Sequence, residues 1–283
     1  MFKKIMVVLI VYCVINISLP ALLSCELMGY SFNQRVPLRY LFEAFRYRSE
    51  FHPSGWGIAY YPDSSVQIFK EPKKALESPL AEFLARFDII KAPLAIAHLR
   101  KASVGGETSM NTHPYQRELN GTQYVLAHNG TLKNFRAKLP LNRFKPIGQT
   151  DSEYLLCHIL GEFDSTGYSD WNEETFAWLH HTLTAANELG TLNTLFSNGE
   201  HLFIYHDKND YTSLHYTERN SPQKTIRYQA TGRTVDLTAK YPEKAAGIVF
   251  STKPLSDENW EKIKPGQLLI LKDGKIIFDS EQK

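Results

Sequence analysis

Lys3-Lys4, the apolar run Ile5–Leu19, Pro20 and then Leu22-Leu23-Ser24-Cys25-Glu26-Leu27-Met28-Gly29-Tyr30-Ser31 form the stretch on which the reading of this chain turns. Two lysines ahead of a short apolar run, with the small Ser24 just before Cys25, follow the order of a secretory leader. The run is too short for a comfortable membrane span, and Glu26 follows at once, so a retained transmembrane helix fits less well. The expectation is a leader over residues 1–24 that is cut off, leaving one mature domain over residues 25–283. The same residues carry a second reading: Leu22-Leu23-Ser24-Cys25 also looks like a bacterial lipobox, whose cysteine is lipidated on sulfur and later acylated on nitrogen. Taken alone, the leader favours that second reading.

Around this stretch lies an ordinary globular composition, 43% hydrophobic and 22% charged over 283 residues, long enough for one large core. Losing Lys3 and Lys4 takes Lys+Arg from 32 to 30 against 30 acidic residues, so the formal charge falls from +2 to zero. A neutral chain does not advertise nucleic-acid or anionic-membrane binding, and membrane association is expected only if Cys25 is lipidated. Cys13 leaves with the leader. Cys25 and Cys157 are too few for a disulfide framework. Cys157 lies on the apolar stripe of a predicted helix, and His180-His181 sit in another without metal-ligand spacing elsewhere. With no HExxH, paired CxxC, Walker loop or dinucleotide glycine motif, no metal and no cofactor is expected.

Apolar, β-rich runs at Cys25–Phe32, Trp56–Tyr61, Val66–Phe69, Leu94–His98, Tyr124–His128, Leu202–Tyr205, Gly247–Ser251 and the hairpin-like Gln267–Phe278 predict strands. Helical periodicity runs through Pro37–Arg46, Pro79–Phe87, Ser152–Phe163 and Glu173–Leu189, with Asp151 a plausible N-cap of the third. Ser221–Tyr241 reads as a polar excursion. Helix groups flanking so much sheet predict a layered sandwich of helices and strands.

With the leader gone, Cys25 carries a thiol and a free α-amine on one residue. A thiol of ordinary pKa ~8.5 is only slightly ionised near neutrality, while an α-amine near ~7.7–8.0 is partly neutral and can take the proton. The amine can act as base and then as acid.

Further along come Gly55-Trp56-Gly57-Ile58, Ala97-His98-Leu99-Arg100-Lys101-Ala102-Ser103, Asn111-Thr112-His113-Pro114-Tyr115, Ala127-His128-Asn129-Gly130 and Gln149-Thr150-Asp151-Ser152-Glu153. In this order the series resembles the class II glutamine amidotransferases, most closely the small stand-alone branch whose mature chains open with Cys-Glu-Leu. The likeness runs to Thr252-Lys253-Pro254-Leu255, Asn259-Trp260 and Pro265-Gly266. It implies an α+β N-terminal-nucleophile fold, an αββα sandwich of two packed, mainly antiparallel sheets. It also implies a small-molecule substrate, glutamine or a γ-glutamyl amide. Cys25 would be the nucleophile. Arg100 would pair with the substrate α-carboxylate through its planar fork, and Asp151 would accept the α-ammonium. The Asn129 side chain and the Gly130 N–H would form an oxyanion hole. Ser103 would be a further substrate-binding residue, and His113 would position the substrate loop.

Each motif has a plainer reading beside this one. Asn129-Gly130 alone is a hairpin turn, Arg100 a surface or salt-bridged arginine, Asp151 a helix cap and His113 a structural turn histidine. The chain departs from the synthase-linked members at Lys101 and Val104, where they commonly carry tryptophan and histidine. No second domain is present to receive ammonia, so hydrolysis is expected rather than transfer. Asn120-Gly121-Thr122 and Asn129-Gly130-Thr131 match the N-glycosylation pattern, and a glycan on Asn129 would block the oxyanion hole, so bacterial export to the periplasm or medium is expected. A lipid-anchored, catalytically silent γ-glutamyl-binding protein of the same fold is the alternative.

Overall fold

A computed structural model describes residues 24–282, so the expected leader lies outside the described residues apart from Ser24. In chain order the elements are β1 (Glu26–Pro37), α1 (Arg39–Arg46), β2 (Gly55–Tyr61), β3 (Gln67–Glu71), α2 (Pro79–Arg86), β4 (Lys91–Arg100), β5 (Tyr115–Leu119) and β6 (Thr122–Leu132). Then follow α3 (Phe135–Lys138), α4 (Asp151–Thr166), α5 (Glu173–Asn187), β7 (Gly190–Ser197), β8 (His201–Tyr205), β9 (His215–Arg219), β10 (Thr225–Arg227) and β11 (Thr234–Asp236). The chain closes with β12 (Gly247–Ser251), β13 (Glu261–Lys262), β14 (Leu268–Lys272) and β15 (Lys275–Asp279).

These strands make a seven-stranded sheet in the order β13-β9-β12-β1-β4-β2-β3, a six-stranded sheet in the order β15-β14-β8-β7-β6-β5, and the small hairpin β10-β11. The strand pairs are antiparallel. Because side chains alternate along a strand, each sheet buries two sets of residues. Leu27, Leu94, Ile96, Val125, Ala127, Leu195 and Ile204 fill the space between the sheets. Met28, Tyr30, Ala95 and Leu99 point the other way, against α1 and α2, while Leu126, Phe196 and Tyr205 point against α4 and α5. The result is the αββα sandwich that the resemblance implies.

Two expectations change. The polar stretch 221–241 is not an excursion: Ile226, Tyr228, Val235, Leu237 and Tyr241 are buried against the outer face of the seven-stranded sheet. Nor is Asn129-Gly130 a turn. It lies inside β6, with Asn129 opposite Asn193 and Gly130 opposite Leu192 on β7. An Asn-Gly that does turn a hairpin is Asn120-Gly121 between β5 and β6, where φ is 51° and 79°, the pair of positive values that a tight two-residue turn requires.

Candidate active site

Alternation on the strands decides what meets at one end of the inter-sheet space. Cys25 precedes β1 with the parity of Leu27, Arg100 and His98 share the face of Ile96, and Asn129 shares the face of Ala127. All therefore point inward between the sheets, Cys25 from just before β1, Arg100 from the end of β4 and Asn129 from within β6. Gly130 continues β6 where β7 passes too close for a side chain, since a Cβ there would stand 2.0 Å from Thr191 O and 2.6 Å from His128 Nε2.

Cys25 is joined to Ser24, the first described residue. Its Sγ accepts from Lys101 N–H at 3.3 Å and lies 3.4 Å from Lys101 O. Burial pushes the thiol up to about 11, against the pull of the Lys101 N–H and of the Arg100 charge, with Asp151 adding to the rise. The thiol is thus protonated near neutrality, and attack needs a base beside it.

Arg100 is only 2% exposed. Its guanidinium donates to Val104 O at 2.9 Å and to Gly105 O and Gly106 O at 3.2 Å each. It is neither a surface arginine nor, among the described residues, paired with a carboxylate; the loop after β4 offers it carbonyl oxygens. Asp151 is the first residue of α4 and not its cap: Thr150 caps the helix, accepting from Glu153 N at 3.2 Å. Asp151 instead accepts the Leu132 N–H at 2.7 Å and the Ser152 N–H at 3.1 Å, which ties the head of α4 to the end of β6.

Asn129 is 1% exposed, and its Nδ2 is buried with no hydrogen-bond partner. A buried amide left without an acceptor costs free energy unless something fills the place. His113, in a cis His113-Pro114 linkage, stacks on His98 with ring centroids 4.0 Å apart and meets Tyr115 edge-on at 4.7 Å. Burial holds both imidazoles well below their ordinary pKa, helped by Arg100 beside His98 and by His98 beside His113. His113 is therefore a neutral wall behind Arg100. Ser103 is exposed on the loop after β4, its Oγ 3.5 Å from Thr131 Oγ1.

Several neighbours carried no sequence signal. The Lys101 N–H is a backbone group. His128 reaches away from Asn129 to Ser152 Oγ at 3.0 Å and Thr191 O at 3.1 Å. Tyr211, on the loop after β8, has its phenol pushed up by burial and then by the nearby Cys25 sulfur. His52 sets Nε2 2.8 Å from Ser24 O. Among the described residues no group of His, Cys, Asp and Glu is arranged to hold a metal ion.

Comparison with known proteins fits this geometry. A family model described as glutamine amidotransferases class-II matches residues 24–283. The chain is 39% identical over 258 residues to an uncharacterized protein of Methanocaldococcus jannaschii, covering 91% of this chain and 72% of that one. It is 34% identical over 263 residues to a Haemophilus influenzae protein provisionally named a glutamine amidotransferase, covering 90% and 86%. A crystal structure described as a predicted glutamine amidotransferase from Pseudomonas aeruginosa superposes with a TM-score of 0.67 at 25% identity, covering 90% of this chain and 100% of that one.

Proposed function

The chain belongs to the class II glutamine amidotransferases, and from that membership we propose that it hydrolyses the side-chain amide of glutamine or of a γ-glutamyl compound through a thioester on Cys25, freed as the first residue by loss of residues 1–24. The observation that carries the reading is the buried, unpartnered Asn129 Nδ2 at the same end of the inter-sheet space as Cys25. That is where a tetrahedral oxyanion would need a donor.

In this reading the α-amine of Cys25 takes the thiol proton as sulfur attacks the amide carbon. The oxygen gathers charge against Asn129 Nδ2 and the Gly130 N–H. The amine returns the proton to nitrogen, ammonia leaves, and a water held by the same amine opens the thioester to release the acid. Arg100, turning from the carbonyls of residues 104–106, pairs with the substrate α-carboxylate, and Asp151 receives its α-ammonium. Hydrolysis is the expected outcome, and an exported location goes with the proposed loss of the leader.

The test is release of the acid from glutamine and from γ-glutamyl amides by protein verified by mass to begin at Cys25. Cys25→Ala should abolish turnover. Cys157→Ala should leave it within about threefold, because that thiol is buried in the α4 core. Folded wild-type protein that releases nothing from any of these substrates would defeat the reading.

A further inference from the structure

One short turn holds the chain on both sides of Cys25. Arg48, in the short 3-10 helix Tyr47–Phe51 after α1, donates to the Glu26 carboxylate at 3.0 Å and to Lys253 O at 2.9 Å. Lys253 Nζ reaches the other Glu26 oxygen at 3.2 Å. The residue after the nucleophile is thereby fixed. On the other side stands His52, 2% exposed, with Nδ1 2.8 Å from Arg48 O and Nε2 2.8 Å from Ser24 O.

Both of those oxygens are carbonyls, which only accept, and a neutral imidazole has a single N–H. In a neutral ring with that proton on Nδ1 for Arg48, Nε2 would turn a lone pair toward another acceptor, which would be a poor contact. In a chain that begins at Cys25 the Ser24 carbonyl is gone. The nitrogen once bonded to it lies within about 2.3 Å of where that oxygen stood, from the lengths of the C=O and C–N bonds. An amine there brings N–H donors that the Nε2 lone pair could accept.

We propose that His52 is the positioning residue for the Cys25 α-amino group: its Nε2 accepts one amine N–H and so turns the amine lone pair toward Sγ. The inference rests on the reading above that Cys25 acts as the first residue. Arg48 joins the two supports, its backbone orienting His52 and its side chain holding Glu26. The charged and titratable groups facing this corner are Glu26, Arg48 and Lys253, His98 and Arg100 on β4, Asp151 at the head of α4, and the thiol itself.

The experiment uses protein verified to begin at Cys25, as wild type, His52→Phe and His52→Gln, labelled with carbon-13 cysteine. The Cys25 Cα resonance is followed through a pH titration alongside glutamine turnover. An acceptor favours the ammonium, so removing it in His52→Phe should move the amine titration down by about half a unit or more, with His52→Gln, which keeps an acceptor, in between. In turnover, kcat should fall about tenfold in His52→Phe with KM within about twofold, and His52→Gln should recover part of the loss. Should His52→Phe not fold, His52→Asn, too short to reach the amine, takes its place. An amine titration unmoved in every variant overturns the proposal, even if thermal stability falls. A wild type that titrates as expected, shifts in the variants and yet turns over nothing would sink the proposed function and leave the role of His52 standing.

Discussion

At the scale of the residue, the most telling side chain is the one with an unmet need. The Asn129 amide has no acceptor in the described structure, so trimming it leaves no new group unpaired. Asn129→Ala should therefore change thermal stability little, while removing an oxyanion donor should lower kcat by about 10²–10³-fold, roughly 3 kcal/mol, with KM nearly constant. Steady-state kinetics beside a melting curve separates the two, and an equal fall in both stability and rate would make Asn129 a structural residue. The proposed site residues Cys25, Arg100, Asn129 and Asp151 stand out in the sequence because each sits in a short motif, and the motifs keep a fixed order. His52 does not, since nothing local ties it to Cys25; only the return of the chain from α1 brings its ring to Ser24 O. The Lys101 N–H was invisible for a different reason, because every residue but proline has one.

At the scale of the element, the head of α4 does two jobs. Thr150 caps the helix and donates to Tyr115 OH at 2.8 Å, and Asp151 binds the Leu132 N–H. Thr150→Ala should cost about 1 kcal/mol of stability as a lost cap and should raise KM for glutamine more than it lowers kcat, because it loosens Asp151. Chemical denaturation and kinetics check the two halves. On β3, Lys70 Nζ donates to Thr112 O at 2.8 Å and to Pro114 O at 3.2 Å, steadying the segment that carries His113. Burial brings its pKa down from 10.5 to about 8. Between those two values the unfolded chain holds the proton and the folded chain does not, so this lysine makes stability rise with pH across that window. Lys70→Met should flatten that rise when denaturation midpoints are compared from pH 7.5 to about 10.5, and an unchanged slope would mean that Lys70 keeps its proton. Long alternating strands and the amphipathic helices could be seen in the sequence. Strand β7 could not, because Thr191, Asn193 and Thr194 read as polar although Asn193 and Thr194 are buried, Asn193 paying its polarity back by donating to Thr212 O at 2.9 Å. The hairpin β10-β11 hides in the same way, its few apolar residues spaced among charged ones.

At the scale of the whole molecule, two sheets pressed face to face gather the proposed site at one end, where β1 begins after Cys25, β4 ends at Arg100 and β6 carries Asn129 close to its last residues. The layered arrangement was legible from the balance of strands and helices, whereas the pairing order was not, since β1 finds its neighbours β4 and β12 far along the chain. One feature of that end reaches beyond the folded state. Ser24 is 5% exposed, and its carbonyl is occupied by the His52 ring. A peptidase must draw several residues on each side of its target bond into an extended strand of its own, and β1 cannot give them up without unpicking the middle of the seven-stranded sheet. If an outside enzyme removes residues 1–24, as proposed, that cut and closure of this sheet are ordered in time, the cut first. Protein purified and folded with its leader attached should resist a signal peptidase added afterwards, and the same protein held unfolded in urea that the enzyme tolerates should be cut. Equal cleavage of both samples, read by intact mass, would show that the bond opens readily in the finished fold. Maturation would on this account be a race between synthesis and folding, with any chain that folds too early left locked in an inactive form.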